Sequence, residues 1–171
     1  RWQGVLVWHQ MVRFFRVNTD IFLRTLFLVA VNLYFLSAGA RQGALVLAVN
    51  TLLMQLFILF SYVMDGFAFA GEALSGLHKG AKDAEALRAT IARLFAWGVL
   101  TVTLFTLVYA LGGEAFLSLH TSDQTVLRAA SDYLPWAIAI PIAGVAAFIW
   151  DGVYIGLTAT RAMLMASIIA S

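Results

Sequence analysis

Two aspartates in this chain occupy places where acids are costly. Asp151 lies in "FIWDGVYIG" (148–156), preceded by eighteen uncharged residues, Tyr133–Trp150, and separated from Arg161 by nine more. Asp65 lies in "SYVMDGFAFAG" (61–71), after the uncharged run Gly43–Met64. A charge near the centre of a bilayer costs at least about 2.5–3.5 kcal/mol on insertion scales, so such residues face a cavity, a partner or an ion path. For each aspartate two readings stand: a carboxylate that faces a cavity, a partner or an ion path, or a hydrogen-bonded acid at the headgroup level. The apolar stretch "GVYIGLTAT" after Asp151 favours the first reading there. Glu72 follows Asp65 by seven residues and shares its face if the helix persists; it is the third candidate, the alternative being an interfacial acid paired with a nearby cation.

Other polar and aromatic residues could surround such a site. Asn32, Asn50 and Gln55 are mid-membrane amides. Interhelical hydrogen bonding, worth about 0.6–2 kcal/mol each, is the favoured reading over substrate contact. Tyr62, Trp150 and Tyr154 lie beside the aspartates in sequence, and ring faces next to a carboxylate suit lipophilic cations; packing or lipid contact is the simpler role. Pro135 and Pro141 remove backbone donors from the run that carries Asp151 and invite a bend. With Gly144 and Gly152 they are hinge candidates.

Catalytic signatures are missing: the chain has no HExxH, GxSxG, GxxxxGK[ST] or GxGxxG. His9, His78 and His120 are scattered, and there is no cysteine to act as nucleophile or thiolate ligand. The expectation is a protein that is not an enzyme and holds no metal.

The elements that must position these residues follow from composition. The chain is 62% hydrophobic and 12% charged, with mean hydropathy +0.88, against about 45–50% and 25% in soluble domains. It reads as an integral membrane protein. A net charge of +2 without interleaved basic and aromatic residues gives no footprint for nucleic acid. A bilayer core of roughly 30 Å needs about 20 helical residues, and four segments meet that length, at about 20–40, 43–71, 94–111 and 125–158. Their continuous rather than alternating apolar character favours an all-α, polytopic helical bundle over a barrel.

"NTD" at 18–20 suggests a helix start, capped by Thr19 or Asp20. Residues 1–17 then read as an interfacial helix on the cytoplasmic leaflet or the end of a preceding helix. The 72–93 segment reads as a glycine-punctuated turn followed by a polar helix, and 112–123 as a short outer loop ending in Ser122 or Asp123 as a cap. Residues 161–171 read as the start of a fifth, truncated helix, so a longer parent is expected. Nine basic residues (Arg1, Arg13, Arg16, Arg24, Lys79, Lys82, Arg88, Arg93, Arg161) fall on one side of these spans and two (Arg41, Arg128) on the other. The excess orients the N-terminus, the 72–93 segment and the C-terminus toward the cytoplasm.

Three stretches, in order, resemble the multidrug and toxic compound extrusion (MATE) family in its DinF-type branch. "RFFRVNTDIFLRTLFLVAVNLYF" (13–35) is similar to the entry to that family's seventh helix. "SYVMDGFAFAGEALSGLHKGAKD" (61–83) resembles the eighth helix and following loop, and "FIWDGVYIGLTATRAM" (148–163) the tenth. The resemblance implies a twelve-helix transporter of two six-helix lobes, of which this chain would supply helices seven to ten and the start of eleven. It implies export of small lipophilic or cationic compounds across a bacterial inner membrane, in exchange for H⁺ or Na⁺, with no other cofactor. Its partners would be the bilayer and the missing N-terminal lobe. In the related NorM-type branch a carboxylate in the tenth helix takes part in cation binding, and Asp151 is the matching position. A lipid-linked precursor flippase of the same superfamily and a non-transporting membrane scaffold are the alternatives. The flippase should line its cavity with arginines, for which only Arg24, Arg41 and Arg128 lie at membrane edges.

Overall fold

The computed structural model describes residues 8–170. Five helices follow one another: α1 (Trp8–Arg41), α2 (Ala44–Ala81), α3 (Ala84–His120), α4 (Gln124–Gly156) and α5 (Thr160–Ala170). The first four are long and apolar enough to cross a membrane. The chain is thus a multi-pass helical bundle, and the described residues contain no strand.

α1, α2 and α3 outrun their apolar segments. α2 has 38 residues, about 57 Å at 1.5 Å per residue, well beyond a roughly 30 Å hydrocarbon core. Hydropathy marks only the apolar part; the helix continues until the backbone is made to turn. For α2 that point is Lys82, not residue 71, because packing holds the polar stretch helical. Gly71 lies 3.5–3.6 Å from Leu94 and Val153, measured from where a Cβ would be, and Ser75 is fully buried. Lys82 then takes a left-handed conformation (φ 57°), and the N–H groups of Lys82 and Asp83 donate to the carbonyls of Lys79 and His78.

α3 starts at Ala84 instead of 94, since Asp83 accepts a hydrogen bond from the Ala86 N–H at 2.8 Å and caps the polar first turns. It also runs through the expected outer loop as far as His120. There Leu117 is fully buried and Gly113 admits Leu134 closely. Of the two cap candidates for α4, Asp123 serves, accepting from Thr125 and Val126.

The expected break at 18–20 is absent. No glycine or proline occurs between Val5 and Ala38, and the Asn18 side chain donates to the Phe14 carbonyl four residues back. Trp8 through Val17 are continuous with α1, and Asp20 is an interior residue of that helix rather than its cap. The part of the expected 1–17 interfacial helix that precedes Trp8 lies outside the described residues.

α2, α3 and α4 form the packed unit. One core cluster contains Leu52, Leu56, Tyr109, Leu117 and Leu134; the other contains Phe60, Met64, Leu94, Ile149 and Val153. Phe60 is the hub of edge-to-face contacts with Phe105 and Phe148. The buried Tyr109 hydroxyl donates to the Leu56 carbonyl at 2.6 Å. Lipid is as apolar as leucine, so association here depends on close fit. α4 supplies that fit with Gly152 and Gly156, where any side chain would run into the backbone carbonyls of Ala68 and Glu72 on α2. α1 lies at the edge, packed on α2 and α5 and not on α4.

Candidate functional site

α4 turns Asp151 toward α1, away from the glycine face that meets α2. Arg24 reaches across from α1 and its Nη2 lies 2.6 Å from Asp151 Oδ1, with both side chains a fifth to a quarter exposed. Since the described α1 and α4 backbones do not pack against each other, this ion pair spans an otherwise open junction. Arg24 Nε is buried and has no acceptor among the described residues.

One turn before Arg24, on the same face of α1, Asp20 Oδ2 accepts a 2.9 Å hydrogen bond from Thr160 Oγ1 at the start of α5. Both residues are buried. From α2, Lys79 Nζ donates to the Leu157 carbonyl and to Thr158 Oγ1. The turn between α4 and α5 is therefore held from both sides. The half-buried Asp65 and Glu72 flank Ala68, the point on α2 where Gly152 packs, and both act electrostatically on Asp151. Asp65 and Glu72 stand two turns apart along α2, and each lies within electrostatic reach of Asp151. Arg24 is the cation paired with Asp151.

The cavity candidates separate into two groups. Asn32, Asn50 and Gln55 line a cavity of about 440 Å³ between α1 and α2. Asn50 also borders an adjoining 210 Å³ space lined by Tyr133 and Trp136 of α4. Tyr62 is 73% exposed and joins neither. Trp150 stacks on Tyr154 at 5.6 Å and meets Phe95 of α3 edge-on. Those two rings therefore pack toward α3, while Asp151 faces α1. Of the hinge candidates, Pro135 and Pro141 lie inside a continuous α4. Gly152 is fixed by its contact with Ala68, and Gly144 packs against Phe60 and Phe148.

Arg24 and Asp20 join the site only once the structure is in view. Their spacing of four within an apolar helix is the signal the sequence carries, because it places an acid and a base on one face of α1.

Long apolar helices packed through small residues, with an interhelical ion pair, define a polytopic membrane bundle. The family model MatE matches residues 21–171, and the chain belongs to the MATE family. It is similar to DNA damage-inducible protein F of Escherichia coli (strain K12), with 38% identity over 153 residues, 90% of this chain and 33% of that protein. It is also similar to Protein DETOXIFICATION 42 of Arabidopsis thaliana, 25% identical over 98% of this chain and 36% of that protein. Protein DETOXIFICATION 45, chloroplastic, from the same plant is 26% identical over 79% of this chain and 24% of its own length. The chain thus spans about a quarter to a third of the length of these relatives. No solved structure gives a significant match.

Proposed function

We propose that this chain forms part of the C-terminal lobe of an efflux antiporter that exports lipophilic or cationic compounds in exchange for H⁺ or Na⁺. The observation that carries the reading is Asp151, paired with Arg24 and within electrostatic reach of Asp65 and Glu72, in helices long enough to span a membrane, in a chain of the MATE family. An acid within a spanning helix is costly unless it is paired or lies on an ion path. Asp151 is the principal coupling carboxylate, supported by Asp65 and Glu72. The amides Asn32, Asn50 and Gln55 offer donors and acceptors to a compound in the adjoining cavity.

In this reading, taking up H⁺ or Na⁺ at Asp151 changes the charge balance between α1 and α4, and that change biases the lobe between inward- and outward-open states. The Lys82 turn and the α4–α5 turn face the cytoplasm of a bacterial inner membrane, an orientation supported by the excess of basic residues on that side. H⁺ or Na⁺ is the coupling ion, and no further cofactor enters. The flippase alternative needs free arginines facing a cavity; Arg24, its best-placed candidate, is engaged by Asp151.

The test is ethidium efflux from cells expressing the full-length protein with Asp151→Asn. Efflux should fall to the level of empty-vector cells at equal membrane abundance. Wild-type efflux in that variant would remove Asp151 from the coupling role.

A further inference from the structure

We propose that Arg24 is a tethered counter-ion: it occupies Asp151 when no mobile cation is bound, and its release frees α1 from α4. The inference rests on the reading of Asp151 as the cation site and adds what holds that site between binding events. Three observations support it. The Arg24–Asp151 pair is at 2.6 Å and still partly accessible, so an incoming cation or proton competes for the same carboxylate. The described α1 and α4 backbones make no packing contact, so little else holds the helices together at that junction. Arg24 Nε–H is buried without an acceptor, so among the described residues the guanidinium is anchored through Asp151.

The consequence reaches the cavity. α1 forms one wall of the 440 Å³ space that contains Asn32, Asn50 and Gln55. Below it, α1 remains fastened by Asp20 to Thr160. Loss of the Arg24 contact therefore frees the part of α1 between the Asp20–Thr160 bond and the turn into α2 to shift, and that part bears Asn32. Occupancy of Asp151 and the width of the cavity become linked, and the linkage is reciprocal: a compound that holds the cavity wide favours cation binding at Asp151. The charged groups facing Asp151 are Arg24 from α1 and Asp65 and Glu72 from α2. Of these, Arg24 carries the positive charge that a cation would displace.

The experiment measures the α1–α4 distance in the full-length protein by electron spin resonance. Labels go on cysteines at Leu28 and Ala147, one turn from each partner; this chain has no cysteine of its own. Asp151→Asn mimics the neutralised carboxylate and Arg24→Gln removes the tether. Each should move the distance distribution outward by several ångströms, and the double variant should match the single ones, because both remove one interaction. The swapped pair, Arg24→Asp with Asp151→Arg, should restore the wild-type distribution, which also shows that the site tolerates substitution. An unchanged distance in both single variants overturns the tether. If Asp151→Asn abolishes efflux while the distance stays fixed, the cation reading survives and only the tether fails. If efflux persists in Asp151→Asn, the underlying reading fails instead.

Discussion

Replacing Gly152 with alanine tests the contact that sets how closely α4 approaches α2. A Cβ built at Gly152 would overlap the Ala68 carbonyl oxygen, with the carbonyl carbon at 2.6 Å and Cα at 2.7 Å. All three are backbone atoms, so no rotamer change relieves the clash; α4 must withdraw. Overpacking of this kind costs about 1–3 kcal/mol, offset by up to about 1 kcal/mol of helix propensity gained on replacing glycine. Gly66 is the control. It lies in the same pair of helices, yet a Cβ there would meet nothing within 4 Å, so Gly66→Ala should be neutral or gain up to about 1 kcal/mol. The propensity gain is common to both variants, so thermal unfolding of the full-length protein in detergent should separate them by about 1–3 kcal/mol, with Gly152→Ala the less stable. Equal stability of the two would refute the claim that α4 is seated on α2 by glycine contact. Gly71→Ala, whose Cβ would sit at an ordinary 3.5–3.6 Å from Leu94 and Val153, should fall between them.

Three further outcomes follow from individual contacts. Asp20→Ala removes a hydrogen bond to a carboxylate, worth about 1.5–3 kcal/mol; hydrogen exchange should show faster exchange in the first turn of α5. Tyr109→Phe leaves the ring packing with Phe105 intact but deletes the bond to the Leu56 carbonyl, so stability should drop by about 1 kcal/mol while ethidium efflux is retained. Asn50→Leu changes an amide shared by the two adjoining cavities; under the transport reading it should alter the affinity for exported compounds and leave membrane abundance unchanged.

The bundle is legible in the sequence because its signal is long and local. Four predominantly apolar runs, each near bilayer length, give four spanning helices whatever their neighbours do. The helix ends are less legible. Polar residues from Glu72 onward suggest a boundary, whereas Gly71 packs against α3 and α4 and Ser75 is buried, which keeps α2 helical beyond it. The acids stand out because charge in an apolar run is conspicuous. Their partner does not, because Arg24 lies far from Asp151 in sequence and near the start of its own apolar run, where a basic residue is ordinary. The aromatic candidates show the same limit. Trp150 adjoins Asp151 in sequence, but successive helical residues point about 100° apart, and that angle sends the ring to Phe95 and the carboxylate to Arg24. Gly152 illustrates a further ambiguity: a glycine in a proline-containing helix suggests a hinge, whereas its place against Ala68 makes it a contact.

The most direct test of the cation site is transport by the purified full-length protein in liposomes. Uptake of ethidium would be driven by an imposed proton or Na⁺ gradient, and wild type compared with Asp151→Asn. The expected result is gradient-driven uptake in wild type and none in Asp151→Asn, with ethidium binding retained in both. Undiminished gradient-driven uptake by Asp151→Asn would contradict the assignment of coupling to Asp151.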